Sequence, residues 1–173
     1  RSLATIGLLF NQGAVGANRI FNILDTKPKI REIDSAPNLN IKKGNVLFEE
    51  ISFSYPNTQE EAVKNINISI KGSSTVALVG HSGAGKSTII NLLPRFYDPN
   101  EGKVYIDGQN ISNVSLFSLR KNISMVSQDI ILFDDTIRAN VAYADMNASE
   151  KQIKEACDFA AASEFIEKLP QTY

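Results

Sequence analysis

The stretch LVGHSGAGKSTIINLL, residues 78–93, places glycines, a lysine and three hydroxyl side chains between two apolar runs. It fits the pattern G-x-x-x-x-G-K-[ST] at Gly80, Gly85, Lys86 and Ser87. The run TVALVG before it predicts a buried strand, and STIINLLPRF after it predicts a helix that begins near Lys86. A glycine-rich loop in this position turns successive N–H groups inward, so residues 80–87 are predicted to form a phosphate loop.

The residues of the phosphate loop contribute different groups. Gly83 and Gly85 allow the backbone to curl. The Lys86 ammonium can lie along the β and γ phosphates, and the Ser87 hydroxyl can take one position of an octahedral Mg²⁺. We interpret His81, at a variable position, as an exposed spacer and not as a catalytic residue. The predicted nucleotide-binding residues here are Gly80, His81, Ser82, Gly83, Ala84, Gly85, Lys86, Ser87 and Thr88.

Length and composition narrow the possible classes of protein. With 173 residues, 43% of them hydrophobic, the chain can bury one good core. A formal net charge of −1 gives no reason to expect a nucleic acid as partner. The single cysteine, Cys157, excludes an internal disulfide framework and suits a reducing compartment. No apolar run reaches the roughly 18 residues that a membrane span needs.

Strand and helix patterns alternate along most of the chain. Residues 46–55 and 63–70 alternate apolar and polar side chains with period two, and NISMVSQ, residues 122–128, predicts a further core strand. Residues 102–111 predict a short strand and a turn, and residues 115–120 predict a helical turn. This alternation, without internal repeats, predicts an α/β layer architecture.

Two further helices are predicted at the ends. Residues 3–24 place apolar or small side chains at steps of three and four, which predicts a helical seam. A polar stretch, residues 28–44, follows as a linker or irregular lead-in. Ser149 and Gln152 predict a capping box for a helix over residues 149–162. The predicted apolar stripe of that helix consists of Ile153, Ala156 and Ala160.

The segments around the phosphate loop resemble a known family. FSYP at residues 53–56, LLPRFYDPNEGKVYIDGQNI after the loop and SMVSQDIILFDDTIRANV further on are together similar to the nucleotide-binding domain of an ATP-binding cassette (ABC) transporter. The similarity is to the exporter type, in which membrane helices and ATPase share one polypeptide, and it covers almost the whole chain. It implies an α/β fold: a P-loop NTPase core with an antiparallel β subdomain and the start of a helical subdomain, incomplete at the C-terminus.

The resemblance also implies roles for single residues. Tyr55 matches the family's aromatic residue that stacks on adenine, and Gln128 matches the Q-loop glutamine, which reaches the magnesium and the attacking water. The implied cofactors are ATP and Mg²⁺, with Lys86 and Gln128 as catalytic residues and Ser87 and Gln128 as magnesium ligands. Asp134 follows an apolar run and could instead be a Walker B carboxylate. We prefer the exporter interpretation, in which Asp134 is not a metal ligand.

The resemblance implies a division of the chain and a set of partners. Residues 1–27 match the end of the last membrane helix and its cytoplasmic extension, residues 28–44 a linker, and residues 45–173 a partial nucleotide-binding domain. The implied partners are ATP, a transmembrane domain of the same polypeptide and a second nucleotide-binding domain, as in a homodimer. The implied location is the cytoplasmic face of the inner cell membrane. The alternative is a soluble P-loop ATPase or a nucleotide kinase unrelated to transport.

The family's later motifs are not matched in this sequence. The signature motif, Walker B, the catalytic glutamate and the switch histidine have no counterpart, so we expect the 173-residue chain to bind nucleotide weakly and to hydrolyse it poorly. The ends at Arg1 and Tyr173 suggest an excised piece. We therefore expect the central sheet to lack a core strand and to leave apolar side chains exposed, such as Val79 and Val126.

Overall fold

The computed structural model describes residues 2–56, 58 and 60–169. The chain forms two compact units, Arg1–Ser124 and Met125–Tyr173, which are described separately. The first unit contains α1 (Ser2–Leu24), β1 (Val46–Phe53), β2 (Val63–Ile70), α2 (Lys86–Leu92), β3 (Glu101–Ile106), β4 (Gln109–Asn110) and α3 (Leu116–Lys121). The second contains α4 (Ile137–Val141), α5 (Glu150–Phe159) and α6 (Ser163–Ile166).

The four strands of the first unit form one antiparallel sheet in the order β2-β1-β3-β4. Val46 of β1 pairs with Ile70 of β2 on one side and with Ile106 of β3 on the other. Large side chains of this sheet and of α2 enter a common core, where Ile51 and Leu92 are fully buried. The sheet therefore supports the helix that follows the phosphate loop.

Two predicted strands are absent from this sheet. Residues 75–80 and 122–128 are in neither helix nor strand, so both strand predictions were wrong. A strand needs a neighbouring backbone for its hydrogen bonds, and all strand pairs among the described residues lie within this four-stranded sheet. The predicted exposure is confirmed, because Val79 is 92% exposed and Val126 is 93% exposed.

The predicted helices are largely confirmed. The range of α1 agrees with residues 3–24, and α2 begins at Lys86 as predicted but ends at Leu92, before Pro94 and short of the predicted end at Phe96. Phe10, Ile20 and Leu24 of α1 are exposed, so this part of its apolar seam is not covered within the described structure. None of the helices among the described residues has both the length and the apolar character required to cross a membrane.

The second unit is built around α5. Its predicted capping box is present: Gln152 N donates to Ser149 Oγ, and Ser149 N donates to Gln152 Oε1. The buried positions of the helix are Ile153 and Cys157, which are four residues apart and lie on one face. The predicted stripe was correct at Ile153 and wrong at the exposed Ala156 and Ala160.

Residues 28–45, here called the lead-in segment, contain neither helix nor regular strand yet are attached to the first unit. Ser115 N donates to Pro37 O over 2.8 Å, and Leu39 N donates to Ser118 Oγ over 3.0 Å. Leu39 is itself buried in the core. The lead-in segment is therefore irregular, as predicted, and fixed to the core at its middle.

The end of the lead-in segment is held by one carboxylate. Asp107, directly after β3, accepts hydrogen bonds from the backbone N–H groups of Lys42, Lys43, Gly44 and Asn45, at 2.7 to 2.9 Å. These bonds, with that of Gly44 the largest contributor, hold the pKa of Asp107 well below its ordinary value. The carboxylate thus fixes the point at which the lead-in segment enters β1.

Candidate functional site

The phosphate loop has the backbone geometry that its glycines predict. Gly83 and Gly85 have φ of 82° and 80°, in the left-handed region. A Cβ atom on Gly85 would lie 2.5 Å from Val63 Cγ1 and 2.6 Å from Ala62 O. A Cβ on Gly83 would meet nothing within 4 Å. The loop therefore packs directly against the start of β2 at Gly85 and is open at Gly83.

The Lys86 side chain folds back over the loop. Its Nζ donates to Gly80 O over 2.9 Å and to His81 O over 2.6 Å. An ammonium has three donors, so one is left to face an anion while the other two fix its position. Ser87, the next residue, is exposed, and its hydroxyl is an oxygen ligand of the type that Mg²⁺ takes beside phosphate oxygens.

His81 interacts only locally. Its Nδ1 lies 2.8 Å from Ser82 O, so the ring donates to a carbonyl of its own loop. The side chain is exposed. The interpretation of His81 as a spacer remains a prediction.

Tyr55 lies in an aromatic cluster next to α2. Its ring is edge-on to those of Phe53 and Tyr97, with centroids 5.0 and 5.2 Å away. Its hydroxyl is 3.1 Å from Oγ1 of Thr88, a buried residue in the first turn of α2. The structure thus brings Tyr55 and the phosphate loop, predicted from distant parts of the sequence, to the same region of the first unit.

A cavity of about 550 Å³ extends from Tyr55 to Gly83 of the phosphate loop. Its volume is within the usual range for small-molecule sites. The remaining wall residues are Thr58, Glu60, Glu61 and Ala62. One open space is therefore lined both by Tyr55 and by Gly83 of the predicted phosphate loop, while Lys86 and Ser87 line a separate pocket beside α2.

The sequence did not single out the wall residues between these two ends. Residues 46–55 and 63–70 were predicted as strands. Glu60, Glu61 and Ala62 lie in the connection between them, for which the sequence predicted no role. The requirement for glycine at position 85 indicates a close neighbour, but the sequence does not say that this neighbour is Ala62. That contact depends on how the connection folds.

Gln128 and Asp134 belong to the second unit. Gln128 is exposed in a bend, next to a bond from Ser127 Oγ to Asp129 O. Asp134 is also exposed in a bend, and the apolar run before it, residues 130–133, is not a strand. Magnesium coordination by Ser87 together with Gln128 remains a prediction, as does the preferred interpretation of Asp134.

Comparisons with known proteins agree on one family. A family model described as ABC transporter matches residues 63–173. The ATP-dependent lipid A-core flippase of Syntrophus aciditrophicus is 43% identical over the full length of this chain, which covers 28% of that protein. ABC transporter B family member 2 of Dictyostelium discoideum is 44% identical over 95% of this chain and 12% of its own length. This chain thus spans less than a third of the length of each of these two relatives.

The fold matches a solved structure of the same kind. A bacterial Atm1-family ABC exporter with ATP bound superposes with a TM-score of 0.88 and is 40% identical. The match covers 94% of this chain and 28% of that one. The likeness therefore shows the fold over nearly the whole of this chain.

Proposed function

Because this chain belongs to the ABC transporter family, we propose that it is the ATP-binding portion of an exporter, which couples ATP binding and hydrolysis to substrate movement across a membrane. The observation that carries the proposal is the cavity lined by both Tyr55 and Gly83 of the phosphate loop, a loop whose carbonyl oxygens at Gly80 and His81 hold the Lys86 ammonium. The family match and the named relatives speak against a kinase unrelated to transport.

Each residue of the site has a proposed part. Adenine stacks on Tyr55, and the phosphates lie in the loop that follows Gly80. Lys86 contacts the β and γ phosphates, while the Ser87 hydroxyl takes one position of Mg²⁺. For Gln128 we propose the Q-loop role that the resemblance implies, contact with Mg²⁺ and with the attacking water. When ATP and Mg²⁺ are bound, water would accept the γ-phosphoryl group as the bond between the β and γ phosphates breaks, and this hydrolysis would drive transport.

The proposed partners follow from the exporter type of the relatives. We place a transmembrane domain of the same polypeptide before this portion and a second nucleotide-binding domain opposite the site. The exposed apolar side chains of α1 support a partner for that helix. The site then lies on the cytoplasmic face of the inner membrane. In a fractionated cell the intact protein should remain with the membranes after an alkaline wash, and release by the wash would contradict this placement.

The binding proposal is tested by Lys86→Ala in the intact protein. The loss of a charged donor should lower the affinity for ATP with Mg²⁺ by about tenfold or more, as measured by titration calorimetry. Lys71→Ala, at an exposed lysine outside the loop, is the matched control and should leave the affinity unchanged. Equal affinities of folded Lys86→Ala and wild type would contradict the assignment of the phosphate loop.

A further inference from the structure

Two adjacent carboxylates lie in the wall of the nucleotide cavity. Glu60 and Glu61 line the space between the Tyr55 ring and Gly83. Carboxylates next to a phosphate loop repel the phosphates that the loop binds. Their position is therefore unfavourable for ATP unless one of them makes a specific contact with another part of the nucleotide.

The packing of the loop locates these carboxylates along the cavity. The carbonyl oxygen of Ala62 and the side chain of Val63 fill the space where a Cβ of Gly85 would lie. Glu61 directly precedes Ala62, so it stands close to the phosphate end, and Tyr55 stands at the end that takes the base. Between its base and its phosphates, a nucleotide carries the sugar, whose hydroxyl groups are hydrogen-bond donors.

Glu61 has the more defined position of the two. Its Oε2 is 3.0 Å from Lys64 Nζ, and its side chain is 42% exposed. Among the described residues, no hydrogen bond reaches its Oε1. The hydroxyl proton of Thr58, an uncharged polar side chain of the wall, is already donated to Tyr55 O over 2.8 Å. Glu61 therefore offers an acceptor held at one oxygen and open at the other.

We propose that Glu61 is a specificity-determining residue that binds the ribose of the nucleotide. Its carboxylate accepts a hydrogen bond from the 2′- or 3′-hydroxyl, a contact that acidic side chains also make in dinucleotide sites. The site then distinguishes ribonucleotides from nucleotides whose sugar lacks both hydroxyls. This inference rests on the proposed function, since it presupposes that ATP occupies the cavity.

The test compares ATP with 2′,3′-dideoxyATP on the intact protein, by titration calorimetry with Mg²⁺. Wild type should bind ATP about tenfold more tightly than the dideoxy analogue, as expected for a hydrogen bond to a charged group. Glu61→Ala should reduce this preference to within about twofold by weakening ATP. Glu60→Ala is the matched control, because it removes the same charge from the same wall. Both nucleotides carry the same phosphates, so reduced repulsion strengthens both equally and cancels in the ratio of their affinities.

Glu61→Gln gives a second variant of nearly unchanged shape. Its amide oxygen accepts a weaker bond, so its preference should lie between those of wild type and Glu61→Ala. The inference is overturned if Glu61→Ala keeps the full preference, or if Glu60→Ala loses as much. Failure of the proposed function is recognised separately: wild type then binds neither nucleotide, or Lys86→Ala binds ATP as wild type does, and the inference falls with it.

Discussion

At the scale of single residues, Gly85 combines a left-handed backbone with a close contact. We expect Gly85→Ala to lower the free energy of unfolding by about 1 to 3 kcal/mol, because the new Cβ meets Val63 and Ala62 and the φ of 80° is strained for alanine. Urea denaturation measures this loss. The variant should also bind ATP less well, since the loop must move away from β2.

Gly83→Ala separates the two causes of the loss of stability, the strained backbone and the steric contact. Gly83 has nearly the same φ, 82°, but open space around its missing Cβ. It should therefore show the backbone strain without the clash, and its loss of stability should be the smaller of the two. Equal losses in the two variants would show that the contact between the loop and Ala62 does not matter.

Tyr55 serves both the fold and the proposed site. Tyr55→Phe keeps the ring but deprives the buried Thr88 hydroxyl of its partner at 3.1 Å. We expect it to cost about 1 kcal/mol of stability and to leave ATP affinity nearly unchanged. Tyr55→Ala should in addition weaken the binding free energy of ATP by about 1 to 2 kcal/mol, in the range of base stacking on aromatic side chains. Unchanged ATP binding by Tyr55→Ala would leave Tyr55 a purely structural residue.

Residues of the candidate site and of the fold around it differ in how far the sequence predicts their roles. The phosphate loop is local, so Gly83, Gly85 and Lys86 could be predicted from their spacing alone. Asp107 could not, because the four amides that it binds lie 62 to 65 residues earlier in the chain. The dipeptide Asp107-Gly108 was predicted only as part of a turn. A side chain that serves a distant segment leaves no pattern around itself.

At the scale of elements, Asp107 gives the attachment of the lead-in segment a pH dependence. Its pKa is depressed in the folded chain, so its contribution to stability is fully present above the unfolded pKa, about 3.9. The contribution is lost as the pH falls from there through the lower folded value. We expect Asp107→Asn to be less stable than wild type at pH 7, and the difference to shrink at pH 3. Thermal denaturation at both pH values measures it.

A difference that is as large at pH 3 as at pH 7 would contradict this origin. Asp145→Asn is a suitable control, because within the described part of the chain the Asp145 carboxylate accepts one backbone N–H, from Asn147, and this bond does not connect distant segments. Its effect should be smaller at both pH values.

The capping box of α5 makes a separate prediction for the second unit. Ser149→Ala removes the oxygen that accepts from Gln152 N and should cost about 1 kcal/mol. Ser149→Asp restores an acceptor and should recover most of the loss. Hydrogen exchange of the first-turn amides measures the effect within this helix. Identical exchange in the alanine variant would mean that Ile153 and Cys157 alone hold the helix.

The sequence predicted elements well where their stabilisation is local or their pattern is complete. The capping box of α5 and the alternating strands β1 and β2 are of this kind. The runs at residues 75–80 and 122–128 were predicted as strands because apolar residues there indicate burial. An apolar run shows what a segment would bury, but the partner backbone has to come from elsewhere in the fold. The choice of Ala156 over Cys157 was an error of one residue in helical phase.

At the scale of the whole molecule, exposed apolar side chains predict association. Val79 and Val126 are among the most exposed apolar side chains of the described chain. We expect the 173-residue polypeptide, prepared by itself, to self-associate and to hydrolyse ATP no faster than its Lys86→Ala variant. Sedimentation at increasing concentration measures the first property, and phosphate release measures the second.

Val126→Ser is the matched control for association. Since the side chain is 93% exposed, the change should alter stability by no more than about 0.5 kcal/mol while lowering the tendency to associate. A polypeptide that stays monomeric throughout and hydrolyses ATP in a magnesium-dependent way would contradict both expectations. It would also favour Asp134 as a Walker B carboxylate.

The attachment of the lead-in segment has a mechanical consequence. Its hydrogen bonds are spread along the segment, at Pro37, at Leu39 and at the amides that Asp107 binds. A force applied through α1 loads these bonds in chain order and reaches β1 only through the last of them. The lead-in segment is hydrogen-bonded to the first unit at its middle and at its end. A displacement of α1 would therefore pull on the sheet through these bonds. The lead-in segment would then transmit the displacement of α1 to β1 as a stiff connection and would not bend as a hinge.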